Sequence, residues 1–193
     1  MKRKLTAVLS LALIVCLCLT SVPAAAASEA KFTAEEVIYA RLDANGTPKE
    51  GYAVVALNVT GAGTVTHYGD YSQVVNLSNT TPVEYSDGKV TMEAESGRWY
   101  YEGTLSTVEL PWNIEISYFL DGKEVSPDEL GGKSGELEIN IKTSKNGAVS
   151  GGFYDNYLLQ FTITLDADLC ENVVVTGGTA ANAGSSKTVS LIV

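Results

Sequence analysis

The sequence predicts an all-β protein, either an antiparallel β-sandwich or two small sandwich modules, with one short helical turn near 127–131. Alternating or β-branched runs recur about every 8–12 residues and are separated by Gly, Asn, Asp and Pro. Asp-Gly dipeptides lie between some of these runs, as type I′ hairpins require. No apolar pattern indicates a helix of three turns, so parallel α/β folds, whose crossovers need helices, are excluded.

The first half of the chain is predicted to alternate short strands with turns. Residues 43–48 are dense in turn formers and connect the first two strands, and Asp87-Gly88 predicts a later hairpin. Residues 64–78 are expected to be irregular. The predicted strands are 37–42, 52–59, 83–85, 90–95 and 99–105.

The stretch 110–142 has the best-defined local pattern. Residues 113–118 alternate polar and apolar side chains, and Asp121-Gly122 can supply the positive φ angles of a tight hairpin. Residues 126–129, Ser-Pro-Asp-Glu, combine an N-cap Ser, Pro at the first helical position and Glu at the third, which predicts a helix start. Gly131-Gly132 should end that helix within one turn, and 137–141 resume a strand pattern.

The last fifty residues are predicted to contain three more strands, at 157–165, 173–176 and 187–193. The small, polar segments 143–152 and 177–186 are expected to be loops. The chain stops inside the last predicted strand, which leads us to expect a fragment of a larger protein.

The domain organisation begins with an export signal. Lys2, Arg3 and Lys4 precede an apolar run and an Ala-rich cleavage site at 24–27, the pattern of a secretory signal peptide. The run is shorter than the ~20 residues of a spanning helix, which disfavours a retained anchor. The predicted organisation is a signal peptide at 1–27, a flexible lead-in at 28–36, a first β-rich module at 37–126 and a second, truncated one at 127–193.

Charge and cysteine content restrict the environment and the partners. Removing the signal peptide leaves 10 Lys+Arg against 23 Asp+Glu, a net charge of −13. Such a surface repels nucleic acids and anionic lipids, so nucleic-acid binding is excluded as a function class. Cys170 would be the one remaining cysteine; it cannot form an intramolecular disulfide, and its acidic neighbours make it a poor nucleophile.

Candidate catalytic and metal-binding groups are sparse, and we predict no catalytic residue, no metal site and no cofactor. His67 is the single histidine and is expected to be an exposed turn residue. The run 132–135, Gly-Lys-Ser-Gly, lacks the preceding Gly and the following helix of a phosphate-binding loop, so we interpret it as a turn. The acidic loops at 43–46 and 166–168 do not continue into a calcium-binding loop.

Aromatic residues are the remaining candidates for a binding site. Trp99 and Tyr101 should share one face of a strand, and Tyr68 and Tyr71 lie close together in sequence. If exposed, these four rings could stack on sugars or contact a protein partner. The alternative, which we favour, is that at least two of them belong to the core, as is common in sandwich proteins.

An ordered series of motifs lies at 68–71, 109–114, 118–130, 132–135, 153–160 and 181–184. This series resembles the extracellular region of phage-infection-protein-like (YhgE/Pip-type) bacterial envelope membrane proteins, which often carry Leu-x-x-Gly heptad repeats. The resemblance implies an exported β-rich ectodomain, to which a heptad region and transmembrane helices would be added beyond this chain. It implies no catalytic residues and no cofactor.

These observations favour a non-enzymatic, exported module of a Gram-positive cell envelope protein, acting in adhesion, assembly or surface reception. Its expected partner is a protein or a cell-wall glycan at the cell surface, and it would meet the membrane only through regions outside this chain. The alternative is a carbohydrate-binding or carbohydrate-active extracellular domain that uses the aromatic patch. A third interpretation is a fragment without an autonomous function.

Overall fold

The computed structural model describes residues 28–150 and 153–193, and the predicted signal peptide lies outside this range. The fold is all-β and antiparallel, as predicted, with thirteen strands in four small sheets among the described residues. Two compact units can be distinguished. Unit 1 contains the described residues up to 40 together with 50–107, and unit 2 contains 41–49 and 108–193.

Unit 1 is a sandwich of a four-stranded and a three-stranded sheet. The larger sheet has the order β1-β2-β7-β4 and the smaller one β3-β6-β5. The strands are β1 (Lys31–Leu42), β2 (Pro48–Thr60), β3 (Gly63–Tyr68), β4 (Tyr71–Asn76), β5 (Glu84–Ser86), β6 (Lys89–Ala94) and β7 (Gly97–Leu105).

The core of unit 1 follows from strict alternation along its strands. Alternate residues of β2 point inward and meet inward residues of β3 and β6 from the smaller sheet. Each of these side chains is almost fully removed from water, so burial stabilises the pairing of the two sheets. The inward residues are Ala53, Val55, Leu57 and Val59 on β2, Val65 on β3, and Val90, Met92 and Ala94 on β6.

The first strand begins earlier than the sequence indicates. β1 starts at Lys31, inside the segment 28–36 that we predicted to be a flexible lead-in. Phe32 packs against the core, and the backbone of Ala30 donates a hydrogen bond to Thr64 of β3 (2.8 Å) while Thr64 donates one to Ser28 (2.9 Å). The segment therefore contacts both sheets, which orders it.

Unit 2 contains the two remaining three-stranded sheets, ordered β10-β8-β9 and β11-β13-β12. Phe161 and Val189 are its fully buried apolar residues among those described. The strands are β8 (Trp112–Leu120), β9 (Lys123–Val125), β10 (Leu137–Lys145), β11 (Gln160–Asp166), β12 (Gly178–Ala183) and β13 (Ser186–Ile192), with a short helix α1 (Phe153–Asn156).

The boundary between the compact units differs from the predicted module boundary. The units divide between Thr107 and Val108, whereas the sequence placed the division after Ser126. β9 pairs with β8, and β8 pairs along its whole length with β10. The hairpin 112–125 is therefore held in unit 2 by its hydrogen bonds to β10. The sequence pattern of the hairpin itself could not identify β10 as the partner strand.

The local turn predictions around this hairpin are confirmed. Asp121 and Gly122 both adopt positive φ (50° and 77°), and the predicted helical turn is a 3-10 helix at Pro127–Glu129. The Glu129 carboxylate accepts hydrogen bonds from the backbone N–H (2.9 Å) and the hydroxyl (3.0 Å) of Ser126. These bonds lower the pKa of Glu129 and fix the start of the turn.

Candidate functional site

The four aromatic residues selected from the sequence do not form one accessible surface. Tyr101 is 0% exposed and Tyr71 is 5% exposed, so both rings belong to the core of unit 1. Trp99 is half-buried at the edge of the same core, and its indole N–H donates to the Glu95 carbonyl (2.9 Å). Tyr68, at 69% exposed, is the one ring of the four that is open to solvent.

Tyr71 fills a narrow site between two glycines. Its ring lies so close to Gly69 and Gly103 that a Cβ at either position would clash with it. Its edges meet Tyr101 and Tyr85, with ring centroids 6.1 Å and 5.9 Å away. The Tyr85 hydroxyl accepts the Tyr71 N–H (2.9 Å) and donates to the Gly69 carbonyl (3.1 Å), which fixes the backbone around the ring.

A polar network connects this core to the sheet edge. His67 Nδ1 lies 2.6 Å from the Tyr101 hydroxyl, and the Tyr71 hydroxyl donates to Glu36 Oε1 (3.3 Å). Burial raises the pKa of both tyrosines, so their hydroxyls stay protonated at neutral pH. Burial also lowers the pKa of His67, against the opposing charge of Glu36, which favours a neutral ring.

The position of His67 corrects the sequence-based expectation. We expected an exposed turn residue, but His67 lies in β3 with a half-buried ring that meets Phe32 and Tyr101 edge to face (centroids 6.1 Å and 6.0 Å apart). The sequence signal for a buried His67 was its spacing of two from Val65, which places both side chains on the same face of a strand. The arrangement places a neutral imidazole in a hydrogen-bonded core.

The other face of the four-stranded sheet carries apolar side chains into solvent. We call it the outer face. The pairing register places Ala56 opposite Tyr100, and Leu77 donates its backbone N–H to Tyr100 from the next strand. Its exposed or half-exposed apolar members are Val37 and Tyr39 on β1, Tyr52 and Val54 on β2, Tyr100 on β7, Val75 on β4 and Leu77 just after it. Ala56 also lies on this face but is buried (7% exposed), and Glu102 of β7 lies between Val54 and Val75.

The aromatic rings of the outer face are already covered on one side. Tyr39 and Tyr52 stack on each other (centroids 5.0 Å apart, planes inclined by 17°). The Arg98 guanidinium lies 5.5 Å from the centroid of Tyr100 and also pairs with Glu35 at 2.9 Å. One face of each of these three rings is therefore in contact with a neighbouring side chain.

The outer face is not evident from the sequence, because the apolar run 52–59 is also typical of a strand buried on both faces. Both sets of alternating positions in β2 are largely apolar, which is also the pattern of a strand with one face in the core and the other available to a partner. An antiparallel sheet with one wetted face normally alternates apolar and polar residues. The lack of alternation between apolar and polar residues in β2 was therefore the sequence signal for an apolar outer face.

The carboxylate oxygens of the acidic loop at 43–46 are already occupied by local hydrogen bonds and an ion pair. Asp43 Oδ1 accepts the N–H groups of Asn45 and Thr47 (both 2.9 Å), and its other oxygen pairs with Lys49 at 3.0 Å. The Thr47 hydrogen bond and the Lys49 contact lower the pKa of Asp43. Among residues 28–150 and 153–193, no group of three or more His, Cys, Asp or Glu side chains is placed to hold a metal ion.

Unit 2 has a shallow groove of about 450 Å³ beside its 3-10 turn. Tyr118 lines it and donates its hydroxyl to the Ala44 carbonyl (2.8 Å), and burial raises the pKa of that hydroxyl. Val125, Pro127 and Glu129 also line it. The groove is wide open to solvent, and most of its lining residues are polar.

The chain matches no protein-family model, and neither the curated proteins nor the solved structures include a significant match. The resemblance to phage-infection-protein-like envelope proteins therefore stays a prediction. Within the described residues, no helix has the length and apolar character needed to cross a membrane.

Proposed function

We propose that this chain is a non-enzymatic, exported cell-envelope module that binds a protein partner through the outer face of unit 1. The observation that carries the proposal is the cluster of apolar side chains exposed on that face. Val37, Val75 and Leu77 are each about half exposed, and Glu102 is the one charged residue directly opposite Val75. Contiguous apolar surface of this kind is typical of interaction sites.

The rim of the outer face supports the same function. Glu35 and Arg98 form an ion pair at one end, and Asn58 donates to Glu35 there (3.4 Å). Gln73 and Thr104 face each other at the opposite end. Apolar residues bordered by polar side chains are the usual composition of a protein–protein interface, and here one carboxylate, that of Glu102, lies among the apolar residues.

The geometry favours a protein over a glycan. Sugar recognition by stacking needs an open aromatic face, and one face each of Tyr39, Tyr52 and Tyr100 is already in contact with a neighbouring side chain, which halves the ring surface available for stacking. Half-exposed aliphatic groups such as Leu77 bind apolar side chains and offer little to a hydroxylated sugar. Export, the bacterial surface and the envelope context come from the signal-peptide pattern and the motif resemblance.

Binding to envelope preparations tests the proposal. The labelled chain should bind saturably to intact Gram-positive envelopes, and protease treatment of the envelopes should abolish binding while periodate oxidation of their glycans should not. The double variant Val75→Thr/Leu77→Gln should bind at least about tenfold more weakly, since it removes two of the most exposed aliphatic groups of the outer face.

A matched control is available in unit 2. Val174 and Leu169 are more exposed than Val75 and Leu77, so Val174→Thr/Leu169→Gln makes the same chemical change outside the outer face. This control should bind like the wild type. Equal binding by the outer-face variant, or binding that survives protease and is lost after periodate, would overturn the proposal in favour of an unrelated surface or a carbohydrate-binding domain.

A further inference from the structure

β1 is a long edge strand. It lies at the end of the four-stranded sheet, and β2 is its one hydrogen-bonded neighbour in the sheet order of the described residues. The strand has twelve residues and contains no proline. At its centre, Val37, Ile38 and Tyr39 are 53%, 47% and 49% exposed. Since these residues alternate between the two faces of the sheet, apolar surface is available on both sides of the edge.

The opposite edge of this sheet is protected. β4 is half as long as β1, and a bulge between Tyr71 and Gln73 shifts its register. Short strands and bulges are common means by which proteins prevent edge-to-edge pairing. β1 lacks both features over residues 36–40, so its backbone can accept another extended strand.

We propose that β1 pairs with β1 of a second copy of this chain, antiparallel and about a two-fold axis at Ile38. In this register Ile38 faces its own equivalent, and Val37 faces Tyr39 of the second copy. Glu36 then faces Ala40, and Glu35 faces Arg41 of the second copy, so charges of opposite sign are adjacent. The strand is thus complementary to itself.

The neighbouring strand registers are less favourable, because they place mismatched side chains opposite each other. An axis at Glu36 places two Glu36 carboxylates opposite each other, and an axis at Val37 places Glu36 opposite Ile38. Like charges directly opposite each other destabilise a strand pair. An axis at Tyr39 leaves Val37 facing Arg41. The register centred on Ile38 avoids these mismatches, and it places the outer faces of both copies on the same side of one eight-stranded sheet.

The net charge limits the strength of this dimer. Each chain carries a formal charge of −10, so two copies repel each other at long range. A strand-edge contact also buries less than the about 1,200 Å² of a stable interface. We therefore expect a reversible dimer whose population rises with salt, because screening shortens the range of the repulsion.

Sedimentation velocity on the purified chain tests the dimer. The dimer fraction should increase with protein concentration and between about 0.05 M and about 0.5 M NaCl. Ile38→Lys should leave a monomer, because it places two ammonium groups on the axis. Val174→Lys, which adds the same charge at an exposed site of unit 2, should dimerise as the wild type does.

Cross-linking tests the register independently of affinity. In a background with Ser at Cys16, Cys18 and Cys170, Ile38→Cys should give a disulfide-linked dimer under mild oxidation, because residues directly opposite on antiparallel strands are within disulfide reach. Ala40→Cys should cross-link much less, because its equivalents are four pairs apart. A wild-type monomer at all concentrations, dimerisation of Ile38→Lys, or stronger cross-linking at 40 than at 38 would overturn the proposal. None of these readouts involves the envelope partner, so this proposal and the proposed function can fail separately.

Discussion

Replacing Gly103 by alanine should destabilise unit 1, because the Tyr71 ring occupies the space that a side chain would need. A Cβ at position 103 would lie 2.5, 2.6 and 2.7 Å from the Cδ1, Cε1 and Cγ atoms of Tyr71. This is about 1 Å inside the normal carbon–carbon contact distance. The ring cannot retreat, since Gly69 closes its other side and Tyr101 its edge.

The expected magnitude follows from two opposing effects. In an unconstrained site, Gly→Ala stabilises a protein by about 0.4–1 kcal/mol through the unfolded chain. Overpacking a buried site costs about 1–3 kcal/mol. We therefore expect the free energy of unfolding of unit 1 to fall by about 1–2 kcal/mol, which lowers the urea midpoint by about 1 M for a typical m-value.

Urea unfolding followed by tryptophan fluorescence can isolate unit 1. The chain contains two tryptophans, and Trp112→Phe leaves Trp99 as the single reporter, at the edge of the unit 1 core. Gly131→Ala, in unit 2, is the control for the substitution itself, because nothing lies within 4 Å of a Cβ built there, and it is followed with Trp112 as the reporter. It should change the free energy of unfolding by less than about 0.5 kcal/mol.

A double-mutant cycle tests whether the clash with Tyr71 causes the loss of stability in Gly103→Ala. Tyr71→Leu is itself destabilising, but in that background Gly103→Ala should cost much less, since the opposing ring is gone. If Gly103→Ala is as stable as the wild type, or equally costly with Leu at 71, the packing argument is refuted.

The stability of unit 1 should fall on acidification: burial depresses the pKa of His67 below 6.5 in the folded state, so its contribution is complete above 6.5 and is lost as pH drops towards the folded pKa. Urea midpoints at several pH values should show this slope, and an unchanged slope in His67→Gln would contradict it. Tyr101→Phe should lower the free energy of unfolding by about 1 kcal/mol in the same urea assay, because His67 loses its hydrogen-bond partner at 2.6 Å. An unchanged free energy of unfolding would mean that this hydrogen bond does not stabilise the fold. Asp121→Ala should cost about 1–2 kcal/mol by thermal unfolding, because it removes the acceptor of the Glu136 N–H (2.9 Å) and puts alanine at φ 50°. Asp121→Asn keeps an acceptor and tolerates that φ, so a loss as large as that of alanine would argue against this explanation.

Features determined by neighbouring residues were predictable from the sequence. The turns at Asp87-Gly88 and Asp121-Gly122 both show positive φ, because their side chains tolerate it whatever the surroundings. The 3-10 turn at Pro127–Glu129 likewise depends on residues within three positions of each other. The all-β class follows from the number of such short elements.

Features determined by distant partners were not predictable in the same way. β12 (Gly178–Ala183) is fully exposed and has no apolar pattern, so it looked like a loop; its strand form depends on pairing with β13. The β-branched run at 173–176 was predicted as a strand but lies outside every strand, with Val174 exposed to solvent. β3 and β4 occur where an irregular segment was expected. The β-propensity of a segment does not show whether the fold provides a strand for it to pair with.

The candidate site shows the same limit. Alternation indicates that Trp99 and Tyr101 share a face, but it does not say whether that face is the core or the surface. The closed environment of Tyr71 depends on Gly69 and Gly103, and the latter is contributed by another strand. The outer face required the register of three strands before its apolar members could be grouped.

The placement of Tyr71 between Gly69 and Gly103 has a consequence for how this fold can diverge. A side chain at either glycine destabilises the fold while the ring is present, so a lineage loses less stability by enlarging those positions after the aromatic residue has become smaller. The three positions should therefore change together in descendant sequences. A distant relative would be recognisable by an aromatic residue two positions after one glycine and by a second glycine on the strand paired with β4, even where the remaining sequence has drifted.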